Sequence, residues 1–455
     1  MTDLSQDNAF LSGPLPGVFL KTAAPIVTIT TLNGLFAVVD AYFLGAYVGP
    51  DALSAVSLIF PGLMLLVALQ ALVSNGMASV LARRLGAGDR RGARLVFAGA
   101  HTLALAVVLS LNTVYWTLGR SIINAGAVGN FAVADGAMLF MGAMIASAPV
   151  SFFLSLHLDG LRCEGRIGFM TLVTLSASLL NILANWLFMA VLHWGVLGSA
   201  VGSIASQLIC LAAVIVYRWR RPATLRPSPA FAFLEWRGIV ALGAPMSLGF
   251  IGISLSSAAI LVNVSLWNTG DHSATVAAYG IITRILTFTY LPLLGLSIAL
   301  QTIAGNNHGA GLRLRVGHSL KIAMLSALAY CSLVEITLEL LAGRLGAVFV
   351  GDPAIVAEVG RILPWTIRAY FLFGQTLILS SYFQSIGDAP RAAIFGLSRP
   401  YLFALPLTFL MPLVVGEQGI WMVPVFAEAC MGVLAVLVLS ENARRHGWRY
   451  GLLPA

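Results

Sequence analysis

Carboxyl and amide side chains occur inside apolar segments of this sequence, and one carboxyl has no cation near it. Asn33, Phe36 and Asp40 are spaced i, i+3 and i+7, so they share one face of a helix. A carboxyl that is removed from water without a counter-ion favours its protonated, neutral form. We therefore interpret Asp40 as a group that binds and releases a proton or another small cation. The alternative is a carboxylate bonded to backbone or amide groups for structure alone.

Two amides on a second apolar segment are suited to the same chemistry. Asn181 and Asn185 are spaced i, i+4, so they lie on one helical face. We expect both to be able to meet Asp40. Ser203, on the following segment, is a further candidate by its spacing.

The second half of the chain carries charges within its apolar segments in equal numbers of each sign. The spacing of Glu358 and Arg361 allows a pair within one helix, so mutual neutralisation is our prediction for this half. Glu335 and Glu339 share a face and repel each other, which leaves open that one of them holds a proton. The basic residues are Arg284, Arg361, Arg368 and Arg399, and the acids are Glu335, Glu339, Glu358 and Glu428.

Methionine and phenylalanine side chains near these polar groups predict a surface for apolar ligands. Methionine is flexible and polarizable, and it is common at promiscuous binding surfaces. The alternative is that these residues serve packing or face lipid. The predicted substrate-binding set is Asn33, Phe36, Phe60, Met64 and the helix-spaced trio Met138, Met141 and Met144.

The composition requires that these residues be positioned by helices in a membrane. The 455 residues are 59% hydrophobic and only 10% charged, whereas soluble domains contain about 25% charged residues. The long unbroken apolar runs exclude a β-barrel, whose strands alternate apolar and polar residues. An all-α integral membrane protein with twelve transmembrane helices is predicted. The predicted spans are 17–46, 53–83, 93–117, 133–161, 167–191, 196–219, 237–267, 274–305, 316–343, 354–386, 390–414 and 419–441.

The basic residues orient these spans. With both termini in the cytoplasm, the inner loops hold 19 of the 26 Lys and Arg residues, and the outer loops hold two, Arg120 and Arg344. This asymmetry follows the positive-inside rule. It explains the basic composition without nucleic acid, and it predicts a multi-pass protein of a bacterial-type inner (plasma) membrane.

The chain is internally repeated at an offset of about 220 residues. Leu20–Pro25 matches Val240–Pro245, and Gly195–Gly198 corresponds to the segment beginning at Gly419. Each half has an even number of spans, so the halves share one orientation. We predict two pseudo-symmetric six-helix lobes around a central cleft, with an N-lobe at 1–219, a proline-containing cytoplasmic linker at 220–236 and a C-lobe at 237–455.

The ordered set of motifs resembles the multidrug and toxic compound extrusion (MATE) transporters, and is most similar to their DinF-like branch. The resemblance covers essentially the whole chain. It rests on Pro25 with Asp40, Leu85-Gly-Ala-Gly-Asp89, Asn181 with Asn185, Ala277-Ala-Tyr-Gly280 with Arg284, Gln301-Thr-Ile-Ala-Gly305, Tyr382-Phe-Gln-Ser-Ile-Gly387, Ser398-Arg399 and Gly419-Ile-Trp421.

The resemblance implies an exporter of drugs or metabolites that exchanges them for H⁺ or Na⁺. It also implies a cation or proton site made by a helix 1 Asp, an Asn-x-x-x-Asp pair on helix 5 and a helix 6 hydroxyl. This sequence has Asn185 where the family usually has an acid. Na⁺ favours more anionic oxygen ligands, so we expect H⁺ coupling through Asp40, with Na⁺ as the alternative.

Other classes of function are less favoured by the residues. A lipid-linked saccharide flippase of the same superfamily is the alternative that we keep open, although a strongly basic central cavity is not indicated. An enzyme is not expected, because no catalytic set is present, and no cysteine has a metal-ligand spacing. A channel would not need the repeat. We expect no cofactor, and we expect a monomer that contacts the lipid bilayer and small-molecule drugs or metabolites.

Overall fold

The fold is seen in a computed structural model, which describes residues 8–47, 50–127, 131–221, 224–225, 233–267, 270–447 and 451–452. Within these ranges, some side chains in helices are not described, and that of Asp40 is among them. The described residues contain helices and no β-strand.

The described residues of the first half of the chain form seven α-helices. A π-helical segment, Trp186–Val191, continues the sixth of them. The helices are α1 (Leu15–Tyr47), α2 (Pro50–Gly86), α3 (Arg90–Ala127), α4 (Phe131–Ala146), α5 (Ala148–Cys163), α6 (Ile167–Asn185) and α7 (Gly195–Arg220).

The part of the second half that the structure describes forms eight α-helices, preceded by a short 3₁₀ turn at Phe233–Glu235. A π-helical segment, Ser398–Ala404, joins the sixth of these helices to the seventh. The helices are α8 (Trp236–Trp267), α9 (His272–Gly309), α10 (Arg313–Phe349), α11 (Pro353–Ile367), α12 (Tyr370–Ile386), α13 (Ala389–Leu397), α14 (Leu405–Val415) and α15 (Gln418–His446).

The helices account for the twelve predicted spans. Within the described residues, ten helical segments are long and apolar enough to cross a bilayer, and two bent helix pairs raise the number to twelve. The bent pairs are α4 with α5 and α11 with α12. The prediction of an all-helical membrane protein with twelve spans is therefore confirmed.

The two bent pairs occupy equivalent places in the two halves. The bend is 46° between α4 and α5 and 47° between α11 and α12. The first bend lies at Ser147 and the second at Arg368–Ala369. Ala369 has a φ of 67°, a left-handed conformation that a helix cannot continue through. The fourth span of each half is thus a broken helix.

The chain divides into two compact units. Unit 1 comprises residues 1–12 and 24–247, and unit 2 comprises residues 13–23 and 248–455. Two of the three limits fall inside helices, close to Pro25 in α1 and to Pro245 in α8. These units have other limits than the lobes predicted at 1–219 and 237–455, which stay a prediction.

Close helix contacts explain why the beginning of α8 belongs to unit 1. A Cβ added at Gly76 of α2 would lie 2.0 Å from the carbonyl oxygen of Ile239. A Cβ added at Gly243 of α8 would lie 1.9 Å from the carbonyl oxygen of Leu72. Only glycine permits this backbone approach. Both glycines therefore fix α8 against α2 within unit 1.

Candidate functional site

A polar contact joins α6 and α7 in unit 1. The Asn181 amide nitrogen donates to the Ser203 hydroxyl oxygen at 2.9 Å. Both side chains are half-buried. Ser203, a candidate by its spacing alone, therefore lies within hydrogen-bond distance of Asn181.

Asn185 extends this contact by one helical turn. Its side chain is 1% exposed, and its amide nitrogen lies 3.4 Å from the Asn181 amide oxygen. Gly202 on α7 makes room for it, since a Cβ at Gly202 would lie 2.6 Å from Asn185 Oδ1. The glycine thus sets the close approach of α6 and α7 at the asparagine pair.

Helix α1 reaches the same face of α6. The Ser178 hydroxyl donates to Asn33 Oδ1 at 3.2 Å. Ser178 precedes Asn181 by three residues, so the two share a face of α6. Phe36 is half-buried, and the side chain of Asp40 lies outside the described residues. In unit 1, α1 and α6 therefore meet through polar side chains.

The residues predicted to bind substrate have different surroundings. Phe60 is 54% exposed, whereas Met64 and Met144 are half-buried. Met141 is 7% exposed, and a Cβ on Gly62 of α2 would lie 2.9 Å from its terminal methyl group. Met141 therefore packs α4 against α2.

Met138 lies beside a tyrosine of α3. The Tyr115 hydroxyl donates to the Met138 carbonyl oxygen at 2.7 Å and lies 3.7 Å from its sulfur. Contact with substrate stays a prediction for the whole set.

The predicted charge network in unit 2 consists of several separate pairs. Arg361 donates to Glu358 at 2.8 Å and to Glu417 at 2.6 Å, which ties α11 to α15. Arg368 donates to Glu339 at 3.0 Å and lies 4.7 Å from the centroid of the Trp365 ring. Arg361 and Arg368 thus each have a carboxylate partner.

Glu335 has a backbone role at the broken helix. Its two carboxylate oxygens accept the N–H groups of Ala369 at 3.0 Å and Phe371 at 3.2 Å. These groups begin α12, where free N–H groups and the helix dipole favour an anion. Glu335 and Glu339 therefore have different partners. Arg284 is exposed and has no ion pair within the described residues.

The remaining pair of this network joins a buried acid to a half-buried cation. The Arg399 Nε donates to Glu428 Oε1. Glu428 is 2% exposed and Arg399 is 28% exposed. The guanidinium carbon of Arg399 lies 4.6 Å from the centroid of the Phe373 ring.

One of the basic residues counted for the inner side is buried at the end of its helix. Arg218 is fully buried on α7 and donates to Glu164 at 2.7 Å, to the His157 carbonyl at 3.0 Å and to the Leu225 carbonyl at 2.7 Å. Burial raises the pKa of the Glu164 carboxyl, and the Arg218 charge opposes this effect.

Two histidines lie beside this pair. The rings of His101 on α3 and His157 on α5 lie 5.1 Å apart, between centroids, and both contact Phe97. Because the two histidines are far apart in sequence, only the packing of α3 on α5 brings them together.

Comparison with known proteins agrees with this architecture. The MatE family model matches residues 25–187 and 245–410, so its two matches begin 220 residues apart. This spacing agrees with the internal repeat.

The chain also resembles curated proteins along its length. It is 23% identical to an FAD transporter from Shewanella oneidensis, over 94% of each chain. It is 24% identical to the multidrug export protein MepA from Staphylococcus haemolyticus, over 92% of each chain.

A solved structure has the same fold. It is an outward-facing multidrug resistance MATE family transporter of the MOP superfamily, with a TM-score of 0.86 and 21% identity. The match covers 95% of this chain and 97% of that one. With the family model matched in both halves, this chain belongs to the MATE family of multidrug efflux transporters.

Proposed function

We propose that this protein is an antiporter that exports small amphipathic molecules and is driven by H⁺ influx through Asp40. The observation that carries the proposal is the polar contact between α1 and α6. Ser178 and Asn33 are hydrogen-bonded, and the predicted topology runs α1 and α6 in the same direction. Position 40 is seven residues beyond Asn33, and Asn185 is seven residues beyond Ser178. Because parallel helices rise by the same amount per residue, this spacing supports a position of Asp40 at the level of Asn185.

The ligand set in this region favours a proton over Na⁺. Asn181, Asn185 and Ser203 contribute neutral oxygens and amide donors. Asp40 would be the single anionic ligand, and hard cations favour more anionic oxygen than one carboxylate supplies. A proton requires only the carboxylate itself. In the proposed cycle, H⁺ adds to the carboxylate of Asp40 from outside, and the neutral acid releases H⁺ to the cytoplasm.

The direction of transport and the substrate class complete the proposal. The distribution of Lys and Arg supports cytoplasmic termini in a plasma membrane. One relative is named for multidrug export and another for FAD transport, so the substrate class that we propose is organic molecules of drug or metabolite size. The flippase alternative needs a basic cavity, whereas most of the membrane-depth arginines of unit 2 contact carboxylates. The DinF-like branch and the monomeric state stay predictions.

Proteoliposomes with one gradient at a time test this proposal. Purified protein would be reconstituted with a fluorescent amphipathic cation such as ethidium as the probe. A pH gradient without Na⁺ should drive ethidium transport, and a Na⁺ gradient at equal pH should not. Transport driven by Na⁺ alone would refute H⁺ coupling, and no gradient-driven transport of any organic probe would refute the exporter.

The variant Asn185→Asp tests the choice of ion separately. It supplies the acid that the family usually has on helix 5, and therefore a second anionic oxygen ligand. We expect this variant to acquire Na⁺-driven transport. Asn112→Asp is a control, since Asn112 lies on α3 and bonds to the Val108 and Ile145 carbonyls.

A further inference from the structure

Unit 2 contains an ion pair near the middle of two membrane spans. Glu428 is ten residues from the first residue of α15, and Arg399 is ten residues beyond Ala389, where α13 begins. At 1.5 Å per residue, each is about 15 Å along its span. Ionisable groups at this depth are costly and are usually functional.

The carboxylate of Glu428 is held at only one of its oxygens. Oε1 accepts from Arg399, whereas Oε2 is buried and has no hydrogen-bond partner among the described residues. A carboxylate normally accepts at both oxygens, and its protonated form carries one O–H donor. The unbonded oxygen is therefore the position at which a proton can bind without breaking an existing contact.

Arg399 has a second contact that does not depend on Glu428. Its guanidinium lies on the Phe373 ring, which attracts a cation by its quadrupole. Arg399 is also the more exposed partner, so it retains more access to solvent. Arg399 can therefore keep its charge and its place after Glu428 becomes neutral.

The helix that carries Arg399 is wound irregularly at this point. Arg399 lies in the π-helical segment Ser398–Ala404, which includes Pro400. Such segments are frequent at functional sites. A Cβ on Gly252 of α8 would lie 2.6 Å from Pro400 Cβ, and the Tyr401 hydroxyl donates to the Leu248 carbonyl at 2.8 Å. The packing of α8 thus holds the irregular segment that positions Arg399.

Few other titratable groups face this pair. The thiol of Cys331 on α10 is fully buried and is close enough to Glu428 and Glu335 to sense both charges. Tyr290 on α9 senses Arg399. From α11, Arg361 approaches α15 at Glu417.

The two other elements beside α15 add little charge. The sequence of α14 contains no ionisable side chain. Tyr370 on α12 has a buried hydroxyl that is electrostatically linked to Cys331 and Tyr290. Arg399 is thus the cation that contacts Glu428 among the described residues.

The pair lies on the helices that are equivalent to those of the unit 1 site. In unit 1, Asn181 and Ser203 join α6 to α7. In unit 2, Arg399 and Glu428 join the segment after α13 to α15. These are the fifth and sixth spans of each repeat, which supports a ligand-binding role in both units.

We propose that Glu428 is a second proton-binding carboxyl of this transporter, and that Arg399 is its permanent counter-ion. The proton adds to Oε2, the carboxylate becomes a neutral acid, and Arg399 keeps its charge. The net charge of the pair changes from zero to plus one. This site is independent of Asp40, so each can fail without the other.

Infrared difference spectroscopy of the full-length protein in lipid tests the proposal. A protonated carboxyl has a carbonyl-stretch band that disappears on ionisation. We expect the wild-type titration to contain a component that is lost in Glu428→Gln and kept in Asp40→Asn. Glu441→Gln is the matched control on α15, since Glu441 is exposed and pairs with Arg445, and it should leave this component unchanged.

Variants of Arg399 provide a second test by the same infrared titration. Arg399→Gln withdraws the cation, so the Glu428 component should persist to higher pH, whereas Arg399→Lys should titrate nearly as the wild type does. If Glu428→Gln fails to fold, the charge-balanced double variant Arg399→Gln with Glu428→Gln should lack the component. Superimposable titrations of the wild type and Glu428→Gln, or of the wild type and the double variant, would overturn the proposal.

Discussion

The amide of Asn181 on α6 donates a hydrogen bond of 2.9 Å to the hydroxyl of Ser203 on α7. The amide oxygen of Asn181 lies 3.4 Å from the amide nitrogen of Asn185. Asn181 thus connects the Ser203 hydroxyl on α7 to the buried Asn185 amide on α6. In the proposed site, this connection orients the groups that surround the proton carrier.

Loss of the Ser203 hydroxyl should weaken coupling. A hydrogen bond of this kind contributes about 0.5–1.5 kcal/mol, so Ser203→Ala should reduce pH-gradient-driven ethidium export a few-fold. Ser206→Ala is the control, because Ser206 bonds the Ser203 carbonyl of its own helix at 2.8 Å. Equal export by Ser203→Ala and the wild type would show that this contact is not part of the coupling site.

A methyl group at Gly202 should disturb the asparagine pair directly. The new Cβ would lie 2.6 Å from Asn185 Oδ1 and 3.2 Å from the Asn185 backbone nitrogen. Overpacking costs about 1–3 kcal/mol, so Gly202→Ala should lower the melting temperature in detergent and reduce export. Gly168→Ala on α6 has nothing within 4 Å of the added Cβ and should be close to neutral. Equal melting temperatures of Gly202→Ala and the wild type would refute the close approach of α7 to Asn185.

Removal of the Glu164 charge should destabilise unit 1. Its partner Arg218 is fully buried, and breaking a buried ion pair costs about 3–5 kcal/mol because the remaining charge is uncompensated. Glu164→Gln should therefore lower the melting temperature strongly, whereas Glu441→Gln should change it little, since exposed pairs contribute about 0–1 kcal/mol. Glu164→Leu combined with Arg218→Met should recover part of the loss. A double variant no more stable than Glu164→Gln would contradict this explanation.

The N-cap of α9 should give a pH-dependent contribution to stability. Hydrogen bonds from Ser273 and the Ala274 N–H lower the pKa of the Asp271 carboxyl. A lowered pKa means that the stabilisation is present above the unfolded-state value of about 3.8 and is lost as the pH falls through the folded-state value. Asp271→Ala should therefore reduce the melting temperature at neutral pH, and the difference from the wild type should shrink in acid. A difference independent of pH would contradict the role of the charged cap.

The sequence predicts the spans well because their length and composition are dictated by the bilayer. The broken fourth span of each half was not predicted. One break depends on the left-handed conformation of Ala369, which alanine does not signal, and on its cap by Glu335 from another helix. The burial of Arg218 was missed for a similar reason, since its partner Glu164 lies 54 residues away.

The candidate site was predictable where spacing along one helix decides the geometry. The i, i+4 relation of Asn181 and Asn185 follows from helix periodicity. The contact of Asn181 with Ser203 requires the packing of α6 on α7, which Gly202 permits. The separate partners of Glu335 and Glu339 could not be predicted, because these partners lie at the break between α11 and α12.

The central claim is that Asp40 carries the proton that drives export. The most direct test is ethidium transport by Asp40→Asn in proteoliposomes under a pH gradient, beside the wild type and Asp135→Asn, which removes an exposed acid of α4. We predict that Asp40→Asn loses gradient-driven transport but still exchanges labelled for unlabelled ethidium, and that Asp135→Asn behaves as the wild type. Unchanged gradient-driven export by Asp40→Asn would contradict the claim and assign the coupling to unit 2.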